Sequence, residues 1–160
     1  MAEMQHSRAS RGAVEGRLAG KVALLTGVGS GQGREAALLF ARAGATVVGC
    51  DVNQAGVDAT LELARAEGLD VEGMAFDATD EAAVKEWVDG AADRHGGVDV
   101  LYNNAGFAHF APFEDLTLDQ WHETLRYELD IVFLPSRAVW RHMIARGGGS
   151  IINIASVSAH

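Results

Sequence analysis

The sequence predicts a doubly wound α/β fold, a parallel sheet of strand order 3-2-1-4-5 with helices on both faces. Three observations carry that prediction. Short apolar runs alternate with stretches of helical period along most of the chain, as strands joined by right-handed helical crossovers require. The first run ends in a glycine cluster that opens a helical stretch, Gly27-Val28-Gly29-Ser30-Gly31-Gln32-Gly33. No internal repeat or linker breaks the 160 residues, so a flexible Arg- and Ser-rich tail at 1–16 leads into one domain at 17–160.

Each element has a local reason. Residues 21–26, Lys-Val-Ala-Leu-Leu-Thr, are a short apolar run suited to a strand buried on both faces. Helical spacing follows at Ala36, Ala37, Leu39, Phe40 and Ala43, and Gly44 supplies a left-handed stop. The second strand covers 45–50 and the second helix 54–67, stopped by Gly68. After a third strand at 71–76, Thr79 or Asp80 caps a helix that runs to about residue 95. Residues 98–102 make the fourth strand. Thr117-Leu118-Asp119-Gln120 has capping-box form and opens one long helix, 117–146, which Pro135 should bend or interrupt. Gly147-Gly148-Gly149 ends it, and 150–155 forms a fifth strand at an open sheet edge.

Composition narrows the function. With 48% apolar and 22% charged residues, the chain has the make-up of a folded globular domain. A net charge of −9 argues against a nucleic-acid partner and against an anionic membrane surface, because neither would find its phosphates neutralised. Cys50 stands alone, which excludes an internal disulfide and fits a reducing compartment. Its apolar neighbours point to a buried, inert thiol. No apolar stretch approaches the about 20 residues that cross a bilayer, and the N-terminus lacks the apolar centre of a secretory signal. A cytoplasmic location is therefore expected. His109, His122 and His142 stand at no ligand spacing, so no metal site is expected.

The chemistry sits at strand ends. In Gly27-x-x-x-Gly31-x-Gly33 the glycines allow a tight turn and close backbone approach to a pyrophosphate, and the next helix offers it amides and a positive dipole end. A ligand-free strand–helix turn is the plainer reading of the same residues. Asp51 ends the second strand, 18 residues after Gly33. A carboxylate there accepts hydrogen bonds from both hydroxyls of an adenosine ribose and repels a 2′-phosphate. No Arg or Lys lies at 52–54 or between Gly27 and Gly33, which favours NAD over NADP. Asp77, after the third strand, suits an adenine amino group and a helix cap equally well. Asn103-Asn104-Ala105-Gly106 closes the fourth strand, and its small residues permit close approach of a ligand.

Together, the glycine loop from Thr26 to Gly33, Asp51 and Asn103-Asn104-Ala105-Gly106 resemble the cofactor half of the short-chain dehydrogenase/reductase family, over about residues 18 to 158. The resemblance implies a Rossmann-like domain that binds NAD and interconverts a small-molecule alcohol and carbonyl by hydride transfer. It implies cofactor contacts from Gly27, Ser30, Gly31, Gln32, Gly33, Asp51, Asp77, Ala78, Asn104, Ala105 and Gly106. Ser156 matches the serine that hydrogen-bonds the substrate oxygen, with Ser158 a weaker candidate. Phe107, His109 and Phe110 would stand on the substrate side. Family members commonly pair through the long helix, so a homo-oligomer through 117–146 is a further implication.

Two departures qualify the resemblance. The family's Tyr-x-x-x-Lys motif, which exchanges the hydroxyl proton, has no counterpart here: Tyr102 and Tyr127 have Gly106 and Ile131 four positions on, and Lys21 and Lys85 are the only lysines. Glu128 stands where the family usually has an asparagine of its proton relay. Three alternatives stay open beside the oxidoreductase. One is a non-catalytic NAD-binding module or partner subunit, and another is a longer chain of which these residues are the front, lacking the C-terminal strands. A methyltransferase is disfavoured by the Gly31-x-Gly33 spacing and by Asn103-Asn104-Ala105-Gly106.

Overall fold

Five parallel strands run through the centre of the computed structural model, which describes residues 16–156. They are β1 (Val22–Thr26), β2 (Thr46–Asp51), β3 (Val71–Ala75), β4 (Val100–Asn103) and β5 (Ser150–Asn153), in spatial order β3-β2-β1-β4-β5. The helices are α1 (Gly31–Arg42), α2 (Gln54–Glu67), α3 (Glu81–His95), α4 (Leu118–Leu125) and α5 (Ile131–Ala145). The predicted tail at 1–16 lies almost wholly outside the described residues, as does Ser158.

The central strand explains the layering. Successive side chains of β1 point to opposite faces, and both faces are buried. Val22 and Leu24 join a core with Val84, Trp87, Val88 and Ala91 of α3 and Val139 and Met143 of α5. Ala23 and Leu25 join a second core with Ala37 and Ala41 of α1 and Val57 of α2. Each fully buried aliphatic side chain contributes about 1.5–3 kcal/mol, so both sheet faces need their helices. β5 forms the edge beside β4, and three of its four residues are exposed.

Asp99 ties the N-terminal end of the sheet together. This buried carboxylate accepts from the Val22 amide at 2.9 Å, Lys21 Nζ at 3.1 Å and Arg146 Nε at 3.0 Å. One side chain thereby joins the starts of β1 and β4 to the end of α5.

Local stop and start signals behave as their chemistry demands. Gly68 and Gly96 take left-handed conformations after α2 and α3. Asp80, rather than Thr79, caps α3 by accepting from the amides of Ala82 and Ala83. Thr117 and Gln120 form a reciprocal capping box at α4.

The single long helix at 117–146 needs correction. It is two α-helices joined by a π-turn, Arg126–Asp130, and α5 runs on through Pro135. The irregularity therefore lies upstream of the proline. In a π-turn the bonds skip one residue further, and the Ile131 amide donates to the Arg126 carbonyl. The Tyr127 carbonyl meanwhile accepts from the Phe107 amide at 3.4 Å. Pro135 itself removes only the bond to the Ile131 carbonyl.

Candidate nucleotide-binding site

At the C-terminal ends of β1 to β4 the chain leaves a cleft of about 600 Å³, within the usual range for a bound small molecule. It opens where the strand order reverses between β1 and β4, the switch point at which doubly wound sheets hold ligands. Gly27, Ser30, Gly31, Gln32, Gly33, Asp51, Asp77, Ala78, Asn104, Ala105 and Gly106 all line it. Ser156 and Glu128 do not, although a Cβ on Gly106 would stand 3.3 Å from Glu128 Oε1. Phe107 lines the cleft, whereas Phe110 is exposed and lies apart from it. His109 is also outside the lining, its ring against Glu123 at 2.6 Å.

The glycine turn is shaped by contacts no other residue would permit. A Cβ on Gly33 would lie 1.9 Å from the Gly27 carbonyl oxygen and 2.6 Å from Asn104 Nδ2. Gly27 itself has φ +77°. Thr26 and Asn104 brace the turn across the sheet. The Thr26 hydroxyl accepts from the amides of Asn104 and Ala105, both at 3.0 Å, and Asn104 Nδ2 donates to the Thr26 carbonyl at 3.3 Å. The amide side chain thus ties the end of β4 to β1, while the backbone of α1 stays open to the cleft.

Asp51 accepts from the Gly29 amide through Oδ2 at 2.8 Å and from the Asn53 amide through Oδ1 at 2.9 Å. A carboxylate has about four acceptor directions, so each oxygen keeps one for a further donor such as a sugar hydroxyl. Cys50, at the back of the cleft, is buried, and burial pushes its thiol well above the usual range, with the Asp51 charge adding to the shift. It is inert, as its apolar setting suggests.

Asp77 is not a helix cap. Its Oδ1 accepts from the Thr79 amide and hydroxyl, both at 2.8 Å, and its Oδ2 accepts from the Tyr127 hydroxyl at 2.9 Å. Burial raises its pKa, but the Thr79 and Tyr127 hydrogen bonds and the nearby Arg126 charge outweigh burial and hold it below the ordinary value. The same hydrogen bond, burial and the Asp77 charge raise the pKa of Tyr127.

Sequence reasoning missed two residues. Arg34, one position beyond the glycine cluster, donates through Nε to Thr60 Oγ1 at 2.9 Å and through its guanidinium to the Gly29 carbonyl. It pins the turn to α2. Tyr127 reaches the cleft from the π-turn, and no local pattern marked it. Its partner Asp77 is 50 residues away in sequence.

The class defined by this fold and turn is a doubly wound α/β domain whose glycine turn opens α1 onto the cleft at the switch point of the sheet. The model of the family described as short chain dehydrogenase matches residues 21–160. The chain is 40% identical over 143 residues to D-threitol dehydrogenase of Mycolicibacterium smegmatis, covering 89% of this chain and 55% of that protein. It is 39% identical to gluconate 5-dehydrogenase of Gluconobacter oxydans, covering 89% and 56%. Among solved structures, a short-chain dehydrogenase/reductase from Burkholderia xenovorans superposes with a TM-score of 0.87 at 43% identity, covering 90% of this chain and 59% of that one. The chain spans a little over half the length of these relatives. It belongs to the short-chain dehydrogenase/reductase family.

Among the described residues no group of His, Cys, Asp or Glu is arranged to hold a metal ion, and no helix is long and apolar enough to cross a membrane.

Proposed function

We propose that the chain carries the dinucleotide-binding half of an NAD-dependent oxidoreductase that interconverts a small-molecule alcohol and a carbonyl. The observation that carries this reading is the convergence on one cleft of the glycine turn, Asp51, Asp77 with Ala78, and Asn104-Ala105-Gly106. When bound, the nicotinamide supplies hydride exchange. The chain's own part is to hold and orient. The Gly27–Gly33 backbone and the α1 N-terminus meet the pyrophosphate, Asp51 takes the ribose hydroxyls, and Asp77 takes the adenine amino group. Ser156 donates to the substrate oxygen and stabilises charge developing there. Glu128, beside Gly106, stands where the family usually has the asparagine of its proton relay; its carboxylate can accept a proton but cannot supply the amide's donor.

No Arg or Lys stands among the cleft-lining residues, which supports NAD over NADP because a 2′-phosphate would meet Asp51 and no cation. Fluorescence titration with NADH and NADPH tests this. NADH is expected to bind at least about tenfold tighter, about 1.4 kcal/mol. Replacing Asp51 with serine should shrink that preference to about twofold or less. Tighter NADPH binding by the unaltered protein, or no NADH binding at all, would sink the reading.

A second reading, dinucleotide binding without turnover, draws on Tyr127. The phenol is raised in pKa by Asp77, the opposite direction from that needed of a tyrosine exchanging protons near neutrality. NADH binding with no alcohol-dependent reduction of NAD would favour this reading.

Pairing with a second copy through 117–146 is part of the proposal. Trp121, Phe133, Trp140 and Ile144 leave large apolar surface exposed along α4 and α5, of the kind that marks an interface. Light scattering should give a mass at least twice that of the chain, and Trp140→Glu should halve it. A monomer at micromolar concentration would refute the pairing.

A further inference from the structure

Tyr127 is held from three sides. Its carbonyl, in the π-turn, accepts from the Phe107 amide at 3.4 Å. Its ring meets the Phe107 ring edge-on, with centroids 6.1 Å apart. Its hydroxyl donates to Asp77 Oδ2. Arg126 closes the group from outside, with Nε on Thr79 Oγ1 at 2.8 Å, the guanidinium 3.6 Å from Asp77 Oδ2, and its carbon 5.6 Å from the Tyr127 ring centre.

The consequence falls on Asp77. Both acceptor directions of Oδ1 are taken by Thr79, whereas Oδ2 has a single hydrogen-bond donor in Tyr127. Anchored through both oxygens, the carboxylate is fixed in orientation and keeps its remaining hydrogen-bonding capacity on Oδ2. The fold does not require this cluster to start α3, because Asp80 caps that helix alone. The arrangement serves the cleft, which Asp77 and Tyr127 both line.

We propose that Tyr127 is a positioning residue for nucleobase recognition: it fixes Asp77 so that Oδ2 accepts from an exocyclic amino group, and the cleft thereby selects a 6-aminopurine dinucleotide over its 6-oxo analogue. The inference rests on the dinucleotide reading above. An amino group donates to Oδ2, while a 6-oxo group would set one acceptor against another and leave a charged group short of a partner.

The test is calorimetric titration of the protein with NADH and with reduced nicotinamide hypoxanthine dinucleotide, which differs at that position of the base. The unaltered protein should favour NADH about tenfold, about 1.4 kcal/mol. Tyr127→Phe keeps the ring and its Phe107 contact but frees Asp77 to turn. It should cut the preference to about twofold, mostly through weaker NADH binding. Asp77→Ala marks the floor, with no preference. A Tyr127→Phe preference equal to that of the unaltered protein overturns the proposal, and so does equal weakening of both ligands, the mark of a merely structural role. An unaltered protein that binds NADH without preference overturns it and leaves the dinucleotide reading standing. Failure to bind NADH at all overturns both.

Discussion

Replacing Gly33 with alanine should cost the protein its proposed dinucleotide site and a large part of its stability together. The added methyl would stand 1.9 Å from the Gly27 carbonyl oxygen and 2.7 Å from its carbon. Both are backbone atoms and cannot rotate away as a side chain would. Relief requires α1 to move off the end of β1, and that movement opens the turn whose amides would meet the pyrophosphate. The third contact, Asn104 Nδ2 at 2.6 Å, carries the disturbance to the end of β4, because that amide donates to the Thr26 carbonyl. We expect NADH affinity to fall at least about 100-fold, about 2.7 kcal/mol. Stability in urea should fall by about 3 kcal/mol, at the upper end of overpacking costs. Gly31→Ala is the informative comparison. A Cβ there meets nothing within 4 Å, and the strain comes only from its φ of +49°, about 1 kcal/mol. If the two variants behave alike, close approach between α1 and β1 is not what Gly33 provides.

Gly33 also shows why so much of the site was legible in the sequence. A turn that brings a helix onto a strand end needs residues without side chains at fixed offsets, and those offsets are local. Asp51 and Asn104-Ala105-Gly106 were legible for a related reason: each follows directly on a short apolar strand, so placing the strand places the residue. Gln54–Glu67 ends where its Gly68 stop puts it, and the Asn53 side chain caps its start. The strand ends shifted by one or two residues because pairing, not composition, decides them. β4 enters the sheet at Val100, opposite Ala23. The π-turn was not legible. Pro135 announces a lost hydrogen bond, yet α5 accommodates it. The extra residue upstream takes effect through Phe107, a partner that lies in a separate loop. Tyr127 and Arg34 were missed in the same way, since each acts through a residue on another element, and no periodicity within one segment encodes that meeting.

Removing the Asp99 carboxylate should be the most damaging change at the opposite end of the sheet. Asp99→Ala would leave the Val22 amide, Lys21 and Arg146 facing one another with no shared acceptor. Arg146 would keep its bond to the Gly96 carbonyl at 2.7 Å, so its charge would stay close to the vacated position. Breaking a buried pair by deleting one partner costs about 3–5 kcal/mol. The exposure of Lys21, whose side chain is 52% accessible, places this case at the lower figure. Acid should reproduce the loss in the unaltered protein. Burial pushes the Asp99 carboxyl upward, but the bonds from Val22, Arg146 and Lys21 outweigh it and hold the pKa below its ordinary value. With a folded pKa below the unfolded value of about 3.9, the unfolded chain takes up the proton first. The contribution of Asp99 is therefore complete above about pH 4 and drains away as pH falls through the folded pKa. Urea midpoints measured from pH 6 down to pH 3 should fall less steeply in Asp99→Ala than in the unaltered protein, and the two should converge at the acid end. Parallel curves would mean that the carboxylate titrates alike in both states and that the three donors do not hold it.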